Sequence, residues 1–321
     1  MLVVVTGGAG FIGSHIVDAL LGQGDQVHVL DDLSTGTSLN VDPRAEVHRL
    51  DVASESAGEL VIRLKPDAVC HQAGIASVAR SVADPFEDAR VNLIGSLKLI
   101  VAAAQVAARF VFASSAAVYA EQNQLPISES TPTRPSSPYG AAKLAAEQYL
   151  AVYHTLRRMP ATALRYANVY GPRQRSDGEG GVVAIFCAAG ASGARLTVHG
   201  TGEQTRDFVH VTDVAEANVR ALAAGSSGVF NVATGLQTSV LELANAVRNL
   251  ASRPIVIVHG PERTGDLRRS ALDPTLAAGS LGWRSRISLL AGLDQTYRWF
   301  DTIRDQPATV TGSPRRAVSA G

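Results

Sequence analysis

Short apolar runs alternate with segments that are apolar at helical spacing through the first half of the chain. The short runs, which have the length of strands, cover residues 2–5, 27–30, 47–50, 67–71, 110–112 and 163–166. The segments in which apolar residues recur every three or four positions, as on one face of a helix, cover residues 11–21, 59–64, 85–108 and 138–158. Strands that alternate with helices predict an α/β fold, in which helices cover both faces of a parallel sheet.

The regular alternation ends near residue 171. Beyond it, a glycine-rich stretch at 178–181 is mixed with short strands at 196–198, 229–231 and 255–258 and with helices at 182–191, 213–223, 240–250 and 288–300. We therefore expect residues 1–171 to form a larger domain, to which some later segments return, and residues 172–303 to form a smaller α/β lobe. Residues 304–321 contain few large apolar side chains and are expected to be a disordered tail.

Glycines mark the turn between the first predicted strand and the first predicted helix, where residues 6–14 read TGGAGFIGS. Gly7, Gly10 and Gly13 recur every three residues, and the stretch also fits the spacing G-x-G-x-x-G. Glycine lets the backbone approach a ligand closely, and the N-terminus of the next helix offers unpaired N–H groups to an anion. With Phe11 and Ile12 opening that helix, the stretch predicts a pyrophosphate site in a Rossmann-type, doubly wound sheet.

Acidic residues follow the second and third predicted strands. Asp31 and Asp32 lie about twenty residues beyond the glycine turn, where dinucleotide-binding domains place an acid that binds the adenosine ribose. An acid there favours NAD over NADP, because it would repel a 2′-phosphate; the alternative is that Asp31 or Asp32 only caps a loop. Asp51 and Val52 are expected to contact the adenine amino group and ring.

Other residues near the predicted strand ends complete the expected cofactor site. The fourth strand is followed by Gln72, Ala73 and Gly74, and small residues there would let a cofactor pass close to the backbone. Asn92 is a polar residue inside an apolar helical segment, and Tyr166 ends the sixth predicted strand. Because the carboxyl ends of parallel strands share one edge of a sheet, we expect these residues to line one crevice.

Ser115, Tyr139 and Lys143 supply groups for proton transfer at the same edge. Tyr139 and Lys143 are four residues apart, so they share one face of a helix. A free tyrosine has a pKa near ~10, and a lysine ammonium together with a positively charged nicotinamide would favour the phenolate. Ser115 follows the fifth predicted strand and would hydrogen-bond the same substrate oxygen. This set predicts hydride transfer at the carbon of a secondary alcohol, with Tyr139 as the base.

Composition argues against several other classes of protein. The 29 basic and 29 acidic residues give a net charge of zero, which predicts neither a nucleic-acid nor a membrane partner. No apolar run reaches the length of a membrane span, and Met1 leads directly into the first predicted strand, so no signal peptide is expected. Cys70 and Cys187 stand alone, and no group of histidines and cysteines has metal-ligand spacing. We expect a cytoplasmic protein without a metal site.

Several motifs together resemble the extended short-chain dehydrogenase/reductase family, and within it the nucleotide-sugar epimerases of the UDP-glucose 4-epimerase type. The resemblance covers residues 1–303 and rests on residues 6–14 (TGGAGFIGS), 51–52 (DV), 114–119 (SSAAVY), 139–143 (YGAAK), 165–172 (RYANVYGP), 206–211 (RDFVHV) and 263–266 (RTGD). It implies NAD-dependent epimerisation of a UDP-hexose at C4, between UDP-glucose and UDP-galactose, through a 4-keto intermediate. It also implies a homodimer that pairs the helices at 85–108 and 138–158.

The resemblance also assigns roles to individual residues. Ser115, Tyr139 and Lys143 are implied to be catalytic, and Lys143 is also implied to hold the nicotinamide ribose. The residues implied to bind the substrate are Arg206 and Arg263 at the diphosphate, Asp266 at the uridine ribose, Ser270 at the gate of the sugar pocket, and Ser115, Asn168, Val182 and Val198 around them. A guanidinium can bind a diphosphate through two parallel hydrogen bonds, which suits the two arginines.

Two alanines separate the expected epimerase from its relatives. Dehydratases and decarboxylases of this family place acids directly after the serine, whereas this chain has Ala116 and Ala117, which cannot move protons. The identity of the sugar stays open: the small Ser270 leaves room for a UDP-N-acetylhexosamine, and Arg175 resembles a residue of UDP-glucuronate 4-epimerases. A thymidine-linked sugar would also fit these motifs, and a non-catalytic NAD-binding scaffold is a hypothesis from a different class.

Overall fold

The computed structural model describes residues 1–177, 180–263 and 267–304. The strands of this part of the chain are β1 (Leu2–Thr6), β2 (Gln26–Asp31), β3 (Glu46–Arg49), β4 (Ala68–His71), β5 (Arg109–Ser115), β6 (Ala161–Tyr166), β7 (Asn168–Tyr170), β8 (Leu196–His199), β9 (Thr205–Arg206), β10 (Phe208–His210), β11 (Gly228–Val232), β12 (Thr238–Ser239) and β13 (Ile257–Gly260). The α-helices are α1 (Phe11–Gly22), α2 (Glu55–Leu64), α3 (Val78–Ala83), α4 (Pro85–Ala89), α5 (Ser96–Gln105), α6 (Pro138–Arg157), α7 (Val182–Ser192), α8 (Val211–Ala224), α9 (Val240–Leu250), α10 (Thr275–Ser280) and α11 (Leu289–Ile303). None of these helices combines the length and the apolar character that crossing a membrane requires.

Within the described residues, seven strands form one sheet in the order β11-β6-β5-β4-β1-β2-β3, and all neighbours in it are parallel. From β1 the chain builds outward to β3 on one side, and from β4 it builds outward to β11 on the other. The order therefore reverses between β1 and β4, and ligands of open parallel sheets bind at the carboxyl ends of the strands beside such a reversal. The predicted α/β fold with a doubly wound parallel sheet is confirmed.

Apolar layers cover both faces of this sheet. Val3, Val4 and Val5 of β1 are fully buried, as expected for a central strand of a parallel sheet. Val3 and Val5 pack in the layer formed with α1 and α8, whereas Val4 packs in the layer formed with α2, α5 and α6. The strand ends are thereby fixed from both sides, which gives the residues that follow them a rigid base.

The helix predicted at 85–108 runs without a break over residues 85–105 in the structure and contains a π-helical turn. The segment consists of α4, a π-helical turn at Arg90–Gly95, and α5. In the π-helical turn, the Asn92 side chain donates to Asp88 at 2.7 Å and the Asn92 backbone carbonyl accepts the Ser96 hydroxyl at 2.7 Å. The long helix is confirmed, whereas its π-helical turn was not predicted, because apolar periodicity carries no signal for such polar bonds. Neither α3 nor α10 was predicted, since six residues are too few to show a period.

The second half of the chain both returns to the sheet and builds a separate layer. β11 pairs in parallel with β6, and α8 packs against α1. In the separate layer, α7, α9 and α11 share an apolar core that includes Phe186, Leu243 and Leu293. Three pairs of short strands accompany it, namely β7 with β10, β9 with β12, and β8 with β13. These pairs carry several of the residues predicted to bind a substrate.

Candidate active site

The glycine turn between β1 and α1 has no room for side chains. Gly7 has a φ of 66°, and its N–H donates to the Leu30 carbonyl at 2.8 Å, which ties the turn to β2. A Cβ at Gly13 would lie 2.0 Å from the Gly7 carbonyl oxygen, so only glycine allows the helix to begin this close to the strand. Gly10 precedes α1 and has no side chain to occupy the first N–H groups of the helix. These features fit a pyrophosphate at the N-terminus of α1.

The two acids after β2 have different surroundings. The buried carboxylate of Asp31 accepts the N–H of Ala9 at 3.0 Å and that of Leu33 at 2.9 Å, so it is part of the glycine turn. Burial raises the pKa of Asp31, and the two N–H groups lower it only in part. A carboxylate has further acceptor positions, which leaves Asp31 able to bind ribose hydroxyls. Asp32 is exposed and accepts the N–H and the hydroxyl of Ser34, at 2.9 and 2.6 Å, as a loop cap does.

Asp51 and Val52 follow β3, as predicted. Asp51 accepts the Ala53 N–H at 2.8 Å and forms an ion pair with Arg90 at 2.7 Å. Val52 is buried in the apolar layer beneath α5. Its side chain therefore serves mainly the core, and a contact with an adenine would involve its backbone.

The segment after β4 lies against the glycine turn on one side and against α6 on the other. A Cβ at Gly7 would lie 2.7 Å from the Ala73 nitrogen, so these two backbones are in direct contact. A Cβ at Gly74 would lie 2.5 Å from the Asn92 Oδ1 and 3.2 Å from the Lys143 Nζ. The small residues expected here are therefore required by the packing of the chain itself.

Asn92 is enclosed by the chain. It is fully buried; its Oδ1 accepts the Ile75 N–H at 3.0 Å, and its Nδ2 donates to the Ile75 carbonyl at 3.0 Å and to Asp88 at 2.7 Å. These bonds hold the segment that ends at Ile75 in place. A contact between Asn92 and the cofactor stays a prediction.

A cavity opens between the glycine turn, the segment after β4 and the N-terminus of α6. Among the predicted site residues, those that line it are Ile12, Gln72, Gly74, Tyr139, Lys143 and Tyr166. The Tyr166 hydroxyl donates to the Gln72 side chain at 3.2 Å, which fixes both at the wall of the cavity. Phe11 stands at the start of α1 with its ring edge-to-face against His15, at 6.2 Å between centroids. The sheet edge thus brings residues from five elements to one crevice.

The N-terminus of α6 places Tyr139 beside Ser115. Ser137 caps this helix by accepting the Gly140 N–H at 3.2 Å. A Cβ at Gly140 would lie 2.3 Å from the Ala117 carbonyl oxygen, so the helix can approach the turn after β5 only with glycine at this position. Ser115 accepts the Ala117 N–H at 3.1 Å, and its hydroxyl is close enough to Tyr139 to lower the pKa of the phenol.

The charged groups around Tyr139 act in opposite directions. Burial raises the pKa of Tyr139, the nearby Ser115 hydroxyl lowers it, and the negative charge of Asp88 raises it. The Lys143 Nζ lies 5.9 Å from the centre of the Tyr139 ring, and burial lowers the pKa of Lys143 to about 8 although Asp88 opposes this. In the sequence analysis, a lowered pKa of Tyr139 was expected from two positive charges, those of Lys143 and of a bound nicotinamide. The groups of the chain by themselves produce an upward shift.

Three of the predicted substrate residues lie in one region of the short strand pairs. The Ser270 N–H donates to the Thr205 carbonyl at 3.2 Å, which places Ser270 beside Arg206 on β9. Asn168 begins β7 with an exposed side chain, and its N–H donates to the Asp207 carbonyl at 2.9 Å. Asn168, Arg206 and Ser270 therefore meet although more than thirty residues separate each from the next in the sequence.

The remaining predicted substrate residues are more scattered. Arg263 is exposed at the end of a described range, and Asp266 lies outside the described residues. Val182 is the first residue of α7 and is partly buried against the core shared by α7, α9 and α11. Val198 is fully buried in the same core. The structure therefore does not bring the Val198 side chain to the surface that Asn168, Arg206 and Ser270 share, and its contact with a substrate stays a prediction.

Comparison of the sequence with models of protein families supports a dinucleotide-binding enzyme, as the geometry of the site does. Residues 3–233 match the model of the NAD-dependent epimerase/dehydratase family. The chain belongs to this family.

Similar members of the epimerase/dehydratase family cover nearly the whole chain. A UDP-glucose 4-epimerase of Mycolicibacterium smegmatis is 42% identical over 308 residues, which span 94% of this chain and 98% of that protein. The crystal structure of UDP-glucose 4-epimerase with UDP-glucose from Thermotoga maritima is 40% identical, with a TM-score of 0.91, and covers 95% of this chain and 100% of its own. The structure of a UDP-N-acetylglucosamine 4-epimerase from Methanobrevibacter ruminantium in complex with UDP-N-acetylmuramic acid is 34% identical, with a TM-score of 0.88. The match covers 94% of this chain and 98% of that one.

A buried ion pair in this family member was missed by the sequence analysis. Arg165 on β6 donates to Glu147 on α6 through two hydrogen bonds, at 2.9 and 2.6 Å, and both side chains are buried. Arg165 also donates to the Tyr119 hydroxyl at 2.7 Å, and Ser114 hydrogen-bonds the same carboxylate. The signal in the sequence was a glutamate four residues after Lys143, on the same helix face. The pair joins the helix that carries Tyr139 and Lys143 to the sheet.

Asp88 was also missed. It is buried on α4, its Oδ1 accepts the Asn92 amide, and its Oδ2 has no hydrogen-bond partner among the described residues. Its charge acts on both Tyr139 and Lys143. The signal was an acid four residues before a buried asparagine.

Proposed function

We propose that this chain is an NAD-dependent 4-epimerase that interconverts UDP-glucose and UDP-galactose through a 4-keto intermediate. The observation that carries the proposal is the placement of Tyr139 beside the Ser115 hydroxyl and the buried Lys143, at a cavity that Ile12 of α1 also lines. Membership of the NAD-dependent epimerase/dehydratase family supports it, as do the UDP-glucose 4-epimerases that the chain resembles over nearly its full length.

NAD is the cofactor, and the chain's own residues fit it. Gly7, Gly10 and Gly13 leave the space that a pyrophosphate needs, and the remaining acceptor positions of Asp31 suit the adenosine ribose. Lys143 lines the cavity from the other side and would hold the nicotinamide ribose. When bound, NAD supplies a carbon that accepts a hydride and returns it, so that the overall reaction has no net redox change.

Tyr139 is the group that moves the proton. Its phenol oxygen takes the proton from the 4-hydroxyl of the sugar and returns it to the same oxygen at the end. The Ser115 hydroxyl hydrogen-bonds that oxygen and orients it, because the turn after β5 holds the serine through Ala117. Lys143 stays largely protonated at neutral pH with a pKa of about 8, and its positive charge stabilises the phenolate.

The turn after Ser115 favours epimerisation over the other reactions of the family. Loss of water or of carbon dioxide from the sugar needs further proton-transferring groups next to the ketone. The residues at the corresponding positions are Ala116 and Ala117, whose methyl groups cannot transfer protons. The sugar therefore keeps all its atoms, and only the configuration at C4 changes.

The substrate side is proposed to lie where the short strand pairs meet. Arg206 supplies a guanidinium for the diphosphate, and Asn168 and Ser270 flank it. Arg263, Asp266 and Val182 are proposed to complete this side. In this assignment residues 1–171, together with α8 and β11, form the NAD-binding domain, and the rest of 172–303 forms the substrate-binding lobe.

A UDP-N-acetylhexosamine is the second candidate substrate. Ser270 is small and only partly buried, so the gate it forms would leave space for an N-acetyl group. One similar protein is a UDP-N-acetylglucosamine 4-epimerase. The two substrates differ only at C2, away from the groups that act on C4.

Assays of the purified full-length chain with UDP-galactose, UDP-N-acetylglucosamine and UDP-glucuronate test the proposal. We expect conversion of UDP-galactose to UDP-glucose, detected by chromatography of the nucleotide sugars, with no loss of mass. Release of water or carbon dioxide from any of these substrates would contradict the assigned reaction. Binding of NAD without turnover of any sugar would support a scaffold role instead.

A homodimer is part of the proposal. Exposed apolar side chains gather on three neighbouring helices, with Val82 on α3 63% exposed, Phe86 on α4 87% exposed and Leu156 on α6 70% exposed. Tyr149 and Val152 extend the α6 part of this surface. Apolar side chains at such density mark an interaction site, and a second copy of the chain can cover the surface by two-fold symmetry.

Light scattering after size-exclusion chromatography tests the dimer. Phe86→Glu and Leu156→Glu are each expected to shift the mass toward that of a monomer. Leu236→Glu is the matched control, because Leu236 is 69% exposed on a different part of the chain. An unchanged mass in both variants, or a monomeric wild type, would refute this part of the proposal.

The cytoplasm is the proposed compartment. Cys70 and Cys187 are both buried and unpaired, which is the usual state of cysteines in a reducing environment. Fractionation of the source cells with an antibody against the chain tests this assignment.

A further inference from the structure

His28, Glu46 and His48 form a cluster at the edge of the sheet, away from the proposed active site. His28 lies on β2 and the other two on β3, which is the edge strand. The register pairs His28 with Glu46 and Leu30 with His48. Since side chains two residues apart on a strand share a face, all three point to the same side of the sheet.

The polar atoms of this cluster converge. The His28 Nδ1 and the His48 Nε2 share a hydrogen bond of 2.9 Å, while the Glu46 Oε2 lies 3.6 Å from the former and the Glu46 Oε1 lies 3.4 Å from the latter. The two imidazole rings are nearly parallel, with 12° between their planes and 5.2 Å between their centroids. Three potential ligand atoms therefore surround one point in space.

We propose that His28, Glu46 and His48 bind a divalent transition-metal ion such as Zn²⁺. Nitrogen and oxygen ligands lie about 2.0–2.2 Å from Zn²⁺, so two ligands of a tetrahedral ion are separated by ~3.4 Å. The two separations from the Glu46 oxygens are close to this value. The ion would replace the hydrogen bond between the two imidazole nitrogens, which need to move apart by ~0.5 Å while both rings turn toward the ion. Two imidazoles and one carboxylate suit zinc and its neighbours rather than calcium or magnesium.

Burial within the cluster explains how an ion would reach and stay in the site. The side chains of His28 and His48 are 5% and 18% exposed, whereas that of Glu46 is 64% exposed. The histidines are thus held by the sheet and Glu46 can close over the ion from the solvent side, leaving a fourth position for water. The charged groups that act on His48 are Glu46, His28 and Arg63 of α2. Of these, Arg63 is the positive charge outside the cluster that would repel a bound ion.

An ion bound at this site would link β2 to β3. β3 has four residues and a neighbour on one side only, so few contacts hold it. β2 ends at Asp31, whose carboxylate is part of the glycine turn and whose carbonyl accepts the Leu50 N–H at 3.2 Å. An ion bound by the folded chain alone stabilises the fold, and here it would fix the edge of the sheet next to the ribose-binding acid.

Spacing along the sequence could not reveal this cluster. His28 and His48 are twenty residues apart and join only through the parallel pairing of their strands. The expectation of a chain without a metal site rested on motif spacing, and cross-strand ligands have no fixed spacing. The proposal is independent of the proposed enzymatic function.

Titration of the full-length chain with Co²⁺, after removal of metal by a chelator, tests the site. We expect one equivalent to bind with the visible absorption of tetrahedral Co²⁺, and Zn²⁺ to displace it. Zn²⁺ is also expected to raise the temperature of thermal unfolding. Failure to bind one equivalent of Co²⁺ would overturn the proposal.

Variants assign the ligands. His48→Gln and Glu46→Gln are each expected to weaken Co²⁺ binding by more than about a hundredfold, since even residues behind metal ligands affect affinity by ten- to a hundredfold. His259→Gln on β13 is the matched control, because that exposed histidine lies outside the cluster and its Nδ1 hydrogen-bonds the Gly200 carbonyl at 2.8 Å. Unfolding temperatures without metal show whether each variant is folded. Undiminished binding by folded His48→Gln and Glu46→Gln, or an equal loss in His259→Gln, would overturn the assignment.

Discussion

The two sides of the proposed active site are built differently. On the cofactor side, Asp31, Asn92 and Lys143 are buried and held by the sheet and its helices. On the substrate side, Asn168 and Arg263 are exposed, and the strands that carry this side are only two to four residues long. The comparison indicates that the reacting groups are held by the buried sheet and its helices, whereas the proposed substrate-binding residues lie on short strands near the surface.

The difference has a physical origin in sequence distance. The cofactor side repeats one local unit, in which a strand ends and a loop leads into a helix, so each residue is placed by its immediate neighbours. The substrate side needs contacts between distant segments, such as the hydrogen bond from the Ser270 N–H to the Thr205 carbonyl and that from the Arg268 N–H to the Glu121 carboxylate at 3.1 Å. Changes on the two sides should therefore have separable effects.

Removal of the Tyr139 hydroxyl is expected to have the largest effect. Tyr139→Phe should lower kcat by about 10²–10⁴-fold, the usual contribution of a general acid or base, and leave the KM for the UDP-sugar nearly unchanged. The measurement is steady-state epimerisation together with the NAD content of the purified protein. Tyr149→Phe, at an exposed position of the same helix, is the control and should keep full activity. Wild-type turnover by Tyr139→Phe would refute the mechanism.

Loss of one partner of the buried ion pair tests whether the cofactor side is held by it. Arg165→Met leaves Glu147 buried without its partner, so the free energy of unfolding should fall by about 3–5 kcal/mol in a denaturant titration. The double variant with Glu147→Leu should lose less, because no unpaired charge remains. Arg90→Met breaks the exposed pairs with Asp51 and Glu87, and each should cost only about 0–1 kcal/mol. Equal losses in Arg165→Met and Arg90→Met would show that the buried pair has no special role.

Sequence patterns predicted the cofactor side well because buried parallel strands are continuous apolar runs. The turn at Gly7 and the acid at Asp31 followed directly from the order of strand, glycine and helix. The π-helical turn around Asn92 could not be predicted, since it depends on hydrogen bonds to Ile75 and Asp88 from other segments. The sequence pattern of a polar residue in an apolar helix does not show whether its side chain contacts a ligand or hydrogen-bonds a neighbouring loop.

The substrate side was less predictable for a related reason. Val198 and Val182 are both apolar residues near the ends of their elements, yet the first is fully buried and the second only partly buried. Their surroundings are set by the packing of α7, α9 and α11, which no local pattern encodes. The convergence of Asn168, Arg206 and Ser270 likewise arises from pairing between distant short strands.

Removal of the proposed diphosphate ligand should affect substrate binding alone. Arg206→Gln is expected to raise the KM for UDP-galactose by about 10- to 100-fold, since a hydrogen bond to a charged group contributes about 1.5–3 kcal/mol. Its NAD content should equal that of the wild type, because Arg206 lies on the substrate side. Arg298→Gln on α11 is the control, at an arginine whose side chain is 77% exposed. A loss of NAD from Arg206→Gln would contradict the separation of the two sides.

A change at Asp88 should shift the pH dependence without abolishing activity, which makes it the smallest of these effects. Asp88→Asn keeps an oxygen that can accept the Asn92 amide and removes only the negative charge. That charge raises the pKa of both Tyr139 and Lys143, so both values should fall in the variant. Activity needs the base form of Tyr139 and the charged form of Lys143, so both limbs of the pH profile of kcat should move to lower pH.

The alkaline limb gives the clearer measurement, because the pKa of Lys143 is already about 8 and a further decrease brings it close to neutral pH. Asp88→Asn should therefore lose activity between pH 7 and 9 that the wild type retains. Glu87→Gln is the matched control: it neutralises the next carboxylate on α4, which is ion-paired with Arg90, and should leave the profile in place. A profile that shifts upward, or that shifts equally in Glu87→Gln, would mean that Asp88 does not act on Lys143. A downward shift confined to Asp88→Asn would show that the rigid side of the site sets the protonation of the reacting groups as well as their positions.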